Sequence, residues 1–181
     1  VWTQMQTIAS APSVTPTTRI AIRAGLLEDF LECHVTTDQT ARHQSLRVLV
    51  NGDSSALPPI APRYAEREAI IRELRQLCID HYLLIQPDSG GATEVEISSR
   101  LAHDALAPHI RTVYESSDAI GPRARRILEQ RVRERSHGVN DELDRTALKS
   151  IERGQPGMRD WTQKESLVVA GGRKARLIRR G

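Results

Sequence analysis

The sequence is poor in several residue types that mark particular classes of protein. Only 2 of its 181 residues are cysteine, Cys33 and Cys78, which is too few for a disulfide framework, so we expect a reducing, cytoplasmic location. Aromatic residues make up 3%, which argues against a surface that stacks nucleic-acid bases. No apolar run approaches the roughly 18 residues of a membrane-spanning helix. The start, Val1-Trp2-Thr3-Gln4-Met5, lacks the pattern of a secretory signal.

The sequence also lacks the short motifs that carry common catalytic chemistry. It has no Gly-x-x-x-x-Gly-Lys-Ser/Thr phosphate loop, since the nearest stretch, Gly171-Gly172-Arg173-Lys174, has the wrong spacing. It has no Gly-x-Gly fingerprint, CxxC pair or nucleophile elbow, and its 6 histidines do not fall at metal-ligand spacing. We therefore expect a chain that is not an enzyme by itself, with no catalytic residues and no metal ligands.

The basic balance of the chain is concentrated at its end. Lys plus Arg number 26 and Asp plus Glu 23, which gives +3, but residues 173–181 hold five basic residues and no acid. The rest of the chain has 21 basic against 23 acidic residues, a net charge of −2. Such a body is not built as a whole to bind nucleic acid. The basic tail, which contains Leu177 and Ile178, is compatible with contact to anionic lipid or nucleic acid, or with a following segment.

The spacing of apolar residues predicts a mainly α fold with a small β-hairpin. In the first segment, 1–59, a helix is predicted near Thr18–Cys33 from an inward stripe of Ile20, Ala24, Leu27 and Leu31. Its polar face carries Glu28, Asp29 and Glu32. The run Leu46–Val50 is either a strand or the end of a helix. Three prolines within residues 57–62 break regular structure, so we place a boundary there.

The second segment, 60–112, changes from a helical to a strand pattern and back. A helix is predicted over Arg63–Asp80, followed by short strands over Tyr82–Gln86 and Ala92–Ile97 that enclose a glycine-containing turn. A second helix is predicted to begin near Ser98 or Ser99. A helix, a tight hairpin and another helix within about 50 residues are the arrangement of a winged-helix domain. The hairpin alone is marginal in water and must pack on the helices.

The third segment, 113–172, is predicted to be helical, and 173–181 is the basic tail. Gly121-Pro122 opens a helix that carries six arginines and two glutamates. This helix is either a nucleic-acid surface or a solvated face with internal ion pairs, since Arg125 and Glu129 are spaced i,i+4. A further helix is capped by Asn140. Thr162 and Glu165 form a capping box for the last helix, which ends at the Gly171-Gly172 pair.

A His-Asp pair directly after the predicted hairpin is the best candidate for a functional site. His103 and Asp104 lie in the string Leu101-Ala102-His103-Asp104-Ala105-Leu106. A helix N-terminus offers free N–H groups and positive partial charge, so it attracts phosphate, and an imidazole adds a directed donor. Asp104 favours the helix dipole and is placed to orient the ring. The alternative is that His103 is a packing residue and Asp104 only helps the helix to start.

The order of these motifs resembles the winged-helix part of STAND-class signalling ATPases, the group that includes the NB-ARC proteins. Bacterial members carry a similar Leu-Ala-His-Asp-x-Leu-Ala-Pro string. Several stretches of this chain carry the resemblance: Tyr82-Leu83-Leu84-Ile85, Leu101 to Pro108, Glu115 to Asp118, Gly121 to Glu129, and Gly154 to Trp161. The opening Trp2-Thr3-x-Met5 and the Gly25 to Leu31 stretch are similar to the segment that joins the ATPase core to the winged helix.

The resemblance implies a nucleotide-sensing role and a partner outside this chain. In the family, a winged-helix histidine contacts the β-phosphate of ADP and holds the inactive state, and His103 occupies the matching position beside Asp104. ADP or ATP would bind only where an upstream ATPase core is present, because the phosphate loop is missing here. We therefore expect a regulatory piece of a longer signal-transduction protein, whose partners are that core and other proteins, with self-association left open. The alternatives are a free-standing winged-helix DNA-binding regulator and a helical interaction scaffold.

Overall fold

The computed structural model describes residues 1–53, 57–87, 97–138 and 143–178. Most of these residues are helical, and three short strands form one antiparallel sheet, so the expected mainly α fold with a small β element is confirmed. Within the described ranges, no helix combines the length and the apolar character needed to cross a bilayer. The elements in chain order are α1 (Trp2–Ser10), α2 (Pro16–Arg23), α3 (Leu26–Glu32), β1 (Gln44–Ser45), α4 (Leu46–Asn51), α5 (Arg67–Asp80), β2 (Leu84–Ile85), β3 (Ser98–Leu101), α6 (Leu106–Ser116), α7 (Ile120–Ser136), α8 (Arg145–Gly154) and α9 (Gln163–Ile178).

The helix predicted near Thr18–Cys33 is divided into α2 and α3 at Gly25. Gly25 has a φ of 100°, in the left-handed region, and a β-carbon there would lie 2.3 Å from Cδ of Pro122. The chain changes direction here, and glycine is required because a side chain would conflict with both the backbone angle and the contact with Pro122. The inward stripe also differs from the prediction, since Ile20 is 60% exposed.

The sheet has the strand order β1-β3-β2 and is antiparallel throughout. β3 lies in the centre, where Ser99 pairs with Gln44 of β1 and Leu101 pairs with Leu84 of β2. The predicted hairpin therefore appears as β2 and β3, and its turn and most of its predicted returning strand, at 88–96, lie outside the described residues. The prediction of a helix from Ser98 or Ser99 is wrong, because this stretch buries every second residue and pairs with a strand on each side.

The ambiguous run Leu46–Val50 belongs to a helix, α4. Ser45 begins it as an N-cap, because its Oγ accepts a hydrogen bond from the N–H of Val48 at 3.2 Å. The preceding β1 is only two residues long and polar, so it carries no strand signal in the sequence. The sheet thus takes its third strand from the segment that was expected to be a linker.

The start of the last helix follows the sequence prediction. The N–H of Glu165 donates to Thr162 Oγ1 at 3.2 Å, and Glu165 Oε2 accepts from the N–H of Thr162 at 2.7 Å. These two reciprocal bonds are the predicted capping box, which is therefore confirmed. Asn140, the predicted cap of the preceding helix, lies outside the described residues, and Asp144 caps α8 by accepting from the N–H of Ala147 at 2.7 Å.

The prediction that Gly171-Gly172 ends the last helix is wrong, since α9 continues to Ile178. Packing explains why a glycine lies inside this helix. A β-carbon on Gly172 would lie 2.9 Å from the Cβ of Leu143, so the absence of a side chain lets α9 approach that residue.

Buried apolar side chains form two clusters. The first cluster extends from Met5 to Ile110, and the second from Ala124 to Val169. The first contains residues on both sides of the boundary predicted near Pro59, so segments 1–59 and 60–112 share one core. The second cluster belongs to the segment 113–172. The division of the chain into domains remains a prediction.

The two clusters meet at a joint made of main chain, which we call the glycine joint (Ala24, Gly121 and Gly157). The N–H of Gly121 donates to the carbonyl of Ala24 at 2.8 Å. A β-carbon on Gly157 would lie 1.9 Å from that carbonyl oxygen, and one on Gly121 would lie 1.9 Å from the carbonyl oxygen of Gly157. Only glycine permits these approaches, so the α2–α3 corner, the start of α7 and the turn before Met158 are in direct contact.

Candidate functional site

His103 and Asp104 lie in the turn that joins β3 to α6. The turn is closed by two hydrogen bonds, from the N–H of Leu106 to the carbonyl of His103 and from the N–H of Ala107 to the carbonyl of Asp104, both 3.0 Å long. The pair therefore precedes the helix rather than lying within it. The side chain of His103 is exposed to solvent. The alternative in which His103 is a buried packing residue does not agree with this position.

The carboxylate of Asp104 holds the turn in place. Its Oδ1 accepts a hydrogen bond from the N–H of Ala41 at 3.0 Å and lies 3.3 Å from Nη2 of Arg100. These contacts link the turn to the loop before β1 and to the central strand. The sequence assigned Asp104 the task of orienting the ring of His103. Its observed contacts instead make it a residue that positions the backbone on which His103 lies.

A second histidine, His34, supports the strand that leads to this turn. His34 is fully buried, its Nδ1 lies 3.0 Å from the carbonyl oxygen of Phe30, and its Nε2 lies 3.0 Å from Oγ of Ser99 in β3. A carbonyl only accepts, so Nδ1 donates and Nε2 accepts from the serine hydroxyl. Burial lowers the pKa of His34 to about 4, which keeps the ring neutral. Sequence reasoning missed His34 because nothing in its local pattern distinguishes it.

The helix that follows His103 is tied to α3 by a buried ion pair. Nη1 of Arg111 on α6 lies 2.6 Å from Oε1 of Glu32, whose side chain is buried. Burial raises the pKa of Glu32 to about 7, and the charges of Arg111 and Arg125 oppose that shift. The sequence placed Glu32 on a solvated helix face. It is buried because α6 covers that face.

A larger ionic cluster, which we call the Asp29 cluster (Asp29, Arg125, Glu129, Arg159 and Glu165), connects the two apolar clusters. Oδ1 of Asp29 lies 2.7 Å from Nη1 of Arg125, and Oδ2 accepts from the main-chain N–H of Arg159 at 2.7 Å. Arg159 in turn makes two hydrogen bonds to the carboxylate of Glu165, of 2.8 and 2.9 Å. Asp29 is fully buried. Residues far apart in sequence are thus joined by charge-assisted hydrogen bonds.

This cluster bears on the nucleic-acid interpretation of the arginine-rich helix. The predicted ion pair between Arg125 and Glu129 is present, with Nε 2.8 Å from Oε1. Arg126 donates to the carbonyls of Tyr114 and Ser117 at 2.5 and 2.7 Å. Two of the arginines of α7 are therefore used inside the protein, which supports the alternative of internal ion pairs.

Metal binding, thiol chemistry and clefts were the other possible sources of a functional site among the described residues. No group of three or more His, Cys, Asp or Glu side chains that could hold a metal ion occurs among the residues described. Cys33 and Cys78 are both buried, and burial raises the pKa of Cys33 to about 12, so neither thiol is an activated nucleophile. A cleft of about 890 Å³ lies between the end of α4 and the start of α9, and its lining includes Arg47, Trp161 and Lys164 but not His103.

Comparisons with protein families, with curated proteins and with solved structures found no match to this chain.

Proposed function

We propose that this chain is a regulatory, non-catalytic part of a STAND-type signalling ATPase. In this proposal its winged helix docks on an ADP-bound core, and His103 donates a hydrogen bond to the β-phosphate. Exchange of ADP for ATP removes the preference for the docked state and lets the winged helix move away from the core, which is a population shift between two states.

The order of the elements supports the winged-helix part of this proposal. Along the chain, helix α3, strand β1, helices α4 and α5, and strands β2 and β3 follow one another, and the sheet has the order β1-β3-β2. Winged-helix domains have this succession of one helix, one strand, two helices and two strands, with the last strand in the centre of the sheet.

The observation that carries the proposal is the position of His103. Its side chain is exposed on a turn that is held by Asp104 on one side and by the His34–Ser99 contact on the other. The turn leads directly into the 11-residue helix α6. The first two N–H groups of α6 donate to carbonyls of the turn itself, so the imidazole of His103 is the donor that a phosphate would meet, within the positive field of the helix start.

The alternative of a DNA-binding regulator would place α5 or the basic third segment on the phosphate backbone, and the surroundings of α5 weaken it. Helix α2 packs on α5, where the carboxylate of Glu73 accepts hydrogen bonds from the N–H of Thr15 at 2.7 Å and the hydroxyl of Thr18 at 2.5 Å. The most exposed charged residues of α5 are Glu68 and Asp80, both acidic, and Arg72, whose side chain is 38% exposed, is paired with Glu68. A helix with one side covered and acidic residues outside is poorly suited to a phosphate backbone.

The test is the ADP affinity of the protein that carries this chain together with its ATPase core. Displacement of a fluorescent ADP analogue measures the affinity, and basal ATPase activity is measured in parallel. The His103→Ala variant should bind ADP at least about tenfold more weakly, since a hydrogen bond to a charged group contributes about 1.5–3 kcal/mol. ATP affinity should change little, and basal activity should rise.

His109→Ala is the matched control, because His109 is also exposed and lies on α6, the helix that follows His103. It should leave both nucleotide affinities unchanged. Equal ADP affinity and equal basal activity in His103→Ala and the wild type would reject the sensor role and leave the scaffold alternative. A steep salt dependence of binding to duplex DNA would instead support the DNA-binding alternative.

A further inference from the structure

The last turns of α9 are exposed among the residues that the structure describes. The buried residues of this helix are Glu165, Val168, Val169 and Gly172. Beyond Gly172, every residue to Ile178 is exposed except the half-buried Ala175. Leu177 and Ile178 are 71% and 70% exposed. Two large aliphatic side chains are therefore mostly exposed at the end of this helix, and they add little to the core formed by the described residues.

The same end of the helix is strongly basic. Arg173, Lys174 and Arg176 lie within it, Arg179 and Arg180 follow in the sequence, and residues 173–181 contain no acid. Arg173 is used internally, because its Nε lies 2.9 Å from Oε1 of Glu152 and its guanidinium carbon lies 5.7 Å from the ring centroid of Trp161. Cations at a helix C-terminus are favoured by the helix dipole. The dipole does not account for Leu177 and Ile178.

We propose that the end of α9, from Lys174 through Ile178, binds an anionic lipid surface. Aliphatic side chains enter the boundary between headgroups and acyl chains, while lysine and arginine pair with headgroup phosphates. Charge complementarity selects this occupant, since the body of the chain is acidic overall and the tail alone is cationic. A nucleic acid would use the cations but leave the aliphatic pair exposed.

The test is co-sedimentation of the full chain with vesicles of phosphatidylcholine, with and without phosphatidylserine. Binding should occur only with phosphatidylserine present and should weaken as salt is raised. The double variant Lys174→Gln with Arg176→Gln should bind about twenty-five-fold more weakly, at about fivefold per cation. The double variant Leu177→Ser with Ile178→Ser should bind more weakly by a factor of about ten or more, because the apolar contribution to binding is lost. Since all four side chains are exposed, circular dichroism should show an unchanged fold.

Two matched variants separate this surface from general stickiness. Leu167→Ser removes a leucine that is 59% exposed near the start of the same helix, and Lys149→Gln removes an exposed cation on α8. Both should bind vesicles like the wild type. Absence of binding to phosphatidylserine vesicles at low salt would overturn the proposal. Unchanged vesicle binding by the Leu177→Ser, Ile178→Ser variant would also overturn it, because the tail would then act only as a polycation. In that case duplex DNA should compete with the vesicles for the tail.

Discussion

The substitution Asp29→Ala tests whether the Asp29 cluster holds the two apolar clusters together. Asp29 is fully buried, and each of its oxygens has a donor at 2.7 Å, Nη1 of Arg125 and the N–H of Arg159. Removal of the carboxylate leaves a buried cation and a buried N–H group without their acceptor. Arg125 keeps a second carboxylate, because its Nε lies 2.8 Å from Oε1 of Glu129.

The expected loss of stability follows from these contacts. Breaking one partner of a buried ion pair typically costs about 3–5 kcal/mol, and an orphaned hydrogen-bonding group costs about 1–3 kcal/mol. Since Glu129 still compensates part of the charge on Arg125, we expect a total near 3–5 kcal/mol. Domains of this kind have unfolding free energies of about 5–15 kcal/mol, so the variant should lose a large share of its stability.

Urea unfolding followed by circular dichroism measures this effect as a shift of the midpoint. The control is Glu68→Ala, which removes an exposed ion pair with Arg72 of 2.9 Å and should cost no more than about 1 kcal/mol. The double variant Asp29→Leu with Arg125→Met removes both charges and should be more stable than Asp29→Ala. If Asp29→Ala lowers the free energy of unfolding no more than Glu68→Ala does, the Asp29 cluster does not stabilise the protein as the structure indicates.

Two further predictions concern the end of α5 and the buried histidine. Tyr82 is 80% exposed and has a φ of 57°, where the N–H of Leu83 closes the helix end on the carbonyl of Cys78 at 2.8 Å. Tyr82→Gly should therefore raise the free energy of unfolding by roughly 1 kcal/mol, and with it the thermal midpoint, because glycine adopts this angle without strain. An unchanged or lower midpoint would contradict this. The pKa of His34 is lowered by burial from 6.5 to about 4, so the unfolded chain takes up a proton first and stability should fall as the pH drops from 6.5 towards 4. In His34→Gln, the urea midpoint should no longer show this part of the pH dependence, and a dependence on pH identical to that of the wild type would refute the prediction. The pKa of Glu32, raised by burial to about 7, acts in the opposite sense in both the variant and the wild type.

Local signals in the sequence were sufficient for several elements. The capping box of Thr162 and Glu165 depends on residues three positions apart, and both of its hydrogen bonds are present. The helix predicted over Arg63–Asp80 is α5, which begins at Arg67 and ends at the predicted residue. His103 follows the hairpin as predicted, but it lies in the turn before α6 and not in the first turn of a helix.

The remaining features depend on contacts between distant parts of the chain. Asp29 and Glu32 have the spacing of a solvated helix face, yet both are buried because α6 and α7 cover that face and supply Arg111 and Arg125. Gly172 has the character of a helix stop, and only its approach to Leu143 explains why the helix continues. All of these partners lie far away in the sequence, so periodicity alone predicted an exposed helix face and an earlier helix end.

The glycine joint has a consequence for how such a protein can diverge. Side-chain contacts between two cores can be exchanged gradually, one compensating for another, but main chain lying on main chain leaves no group to exchange. Gly121 and Gly157 therefore tolerate no side chain, whereas side-chain contacts around them can change through compensating substitutions. Distant relatives with this architecture would retain two side-chain-free positions at this interval even after their sequences had ceased to align.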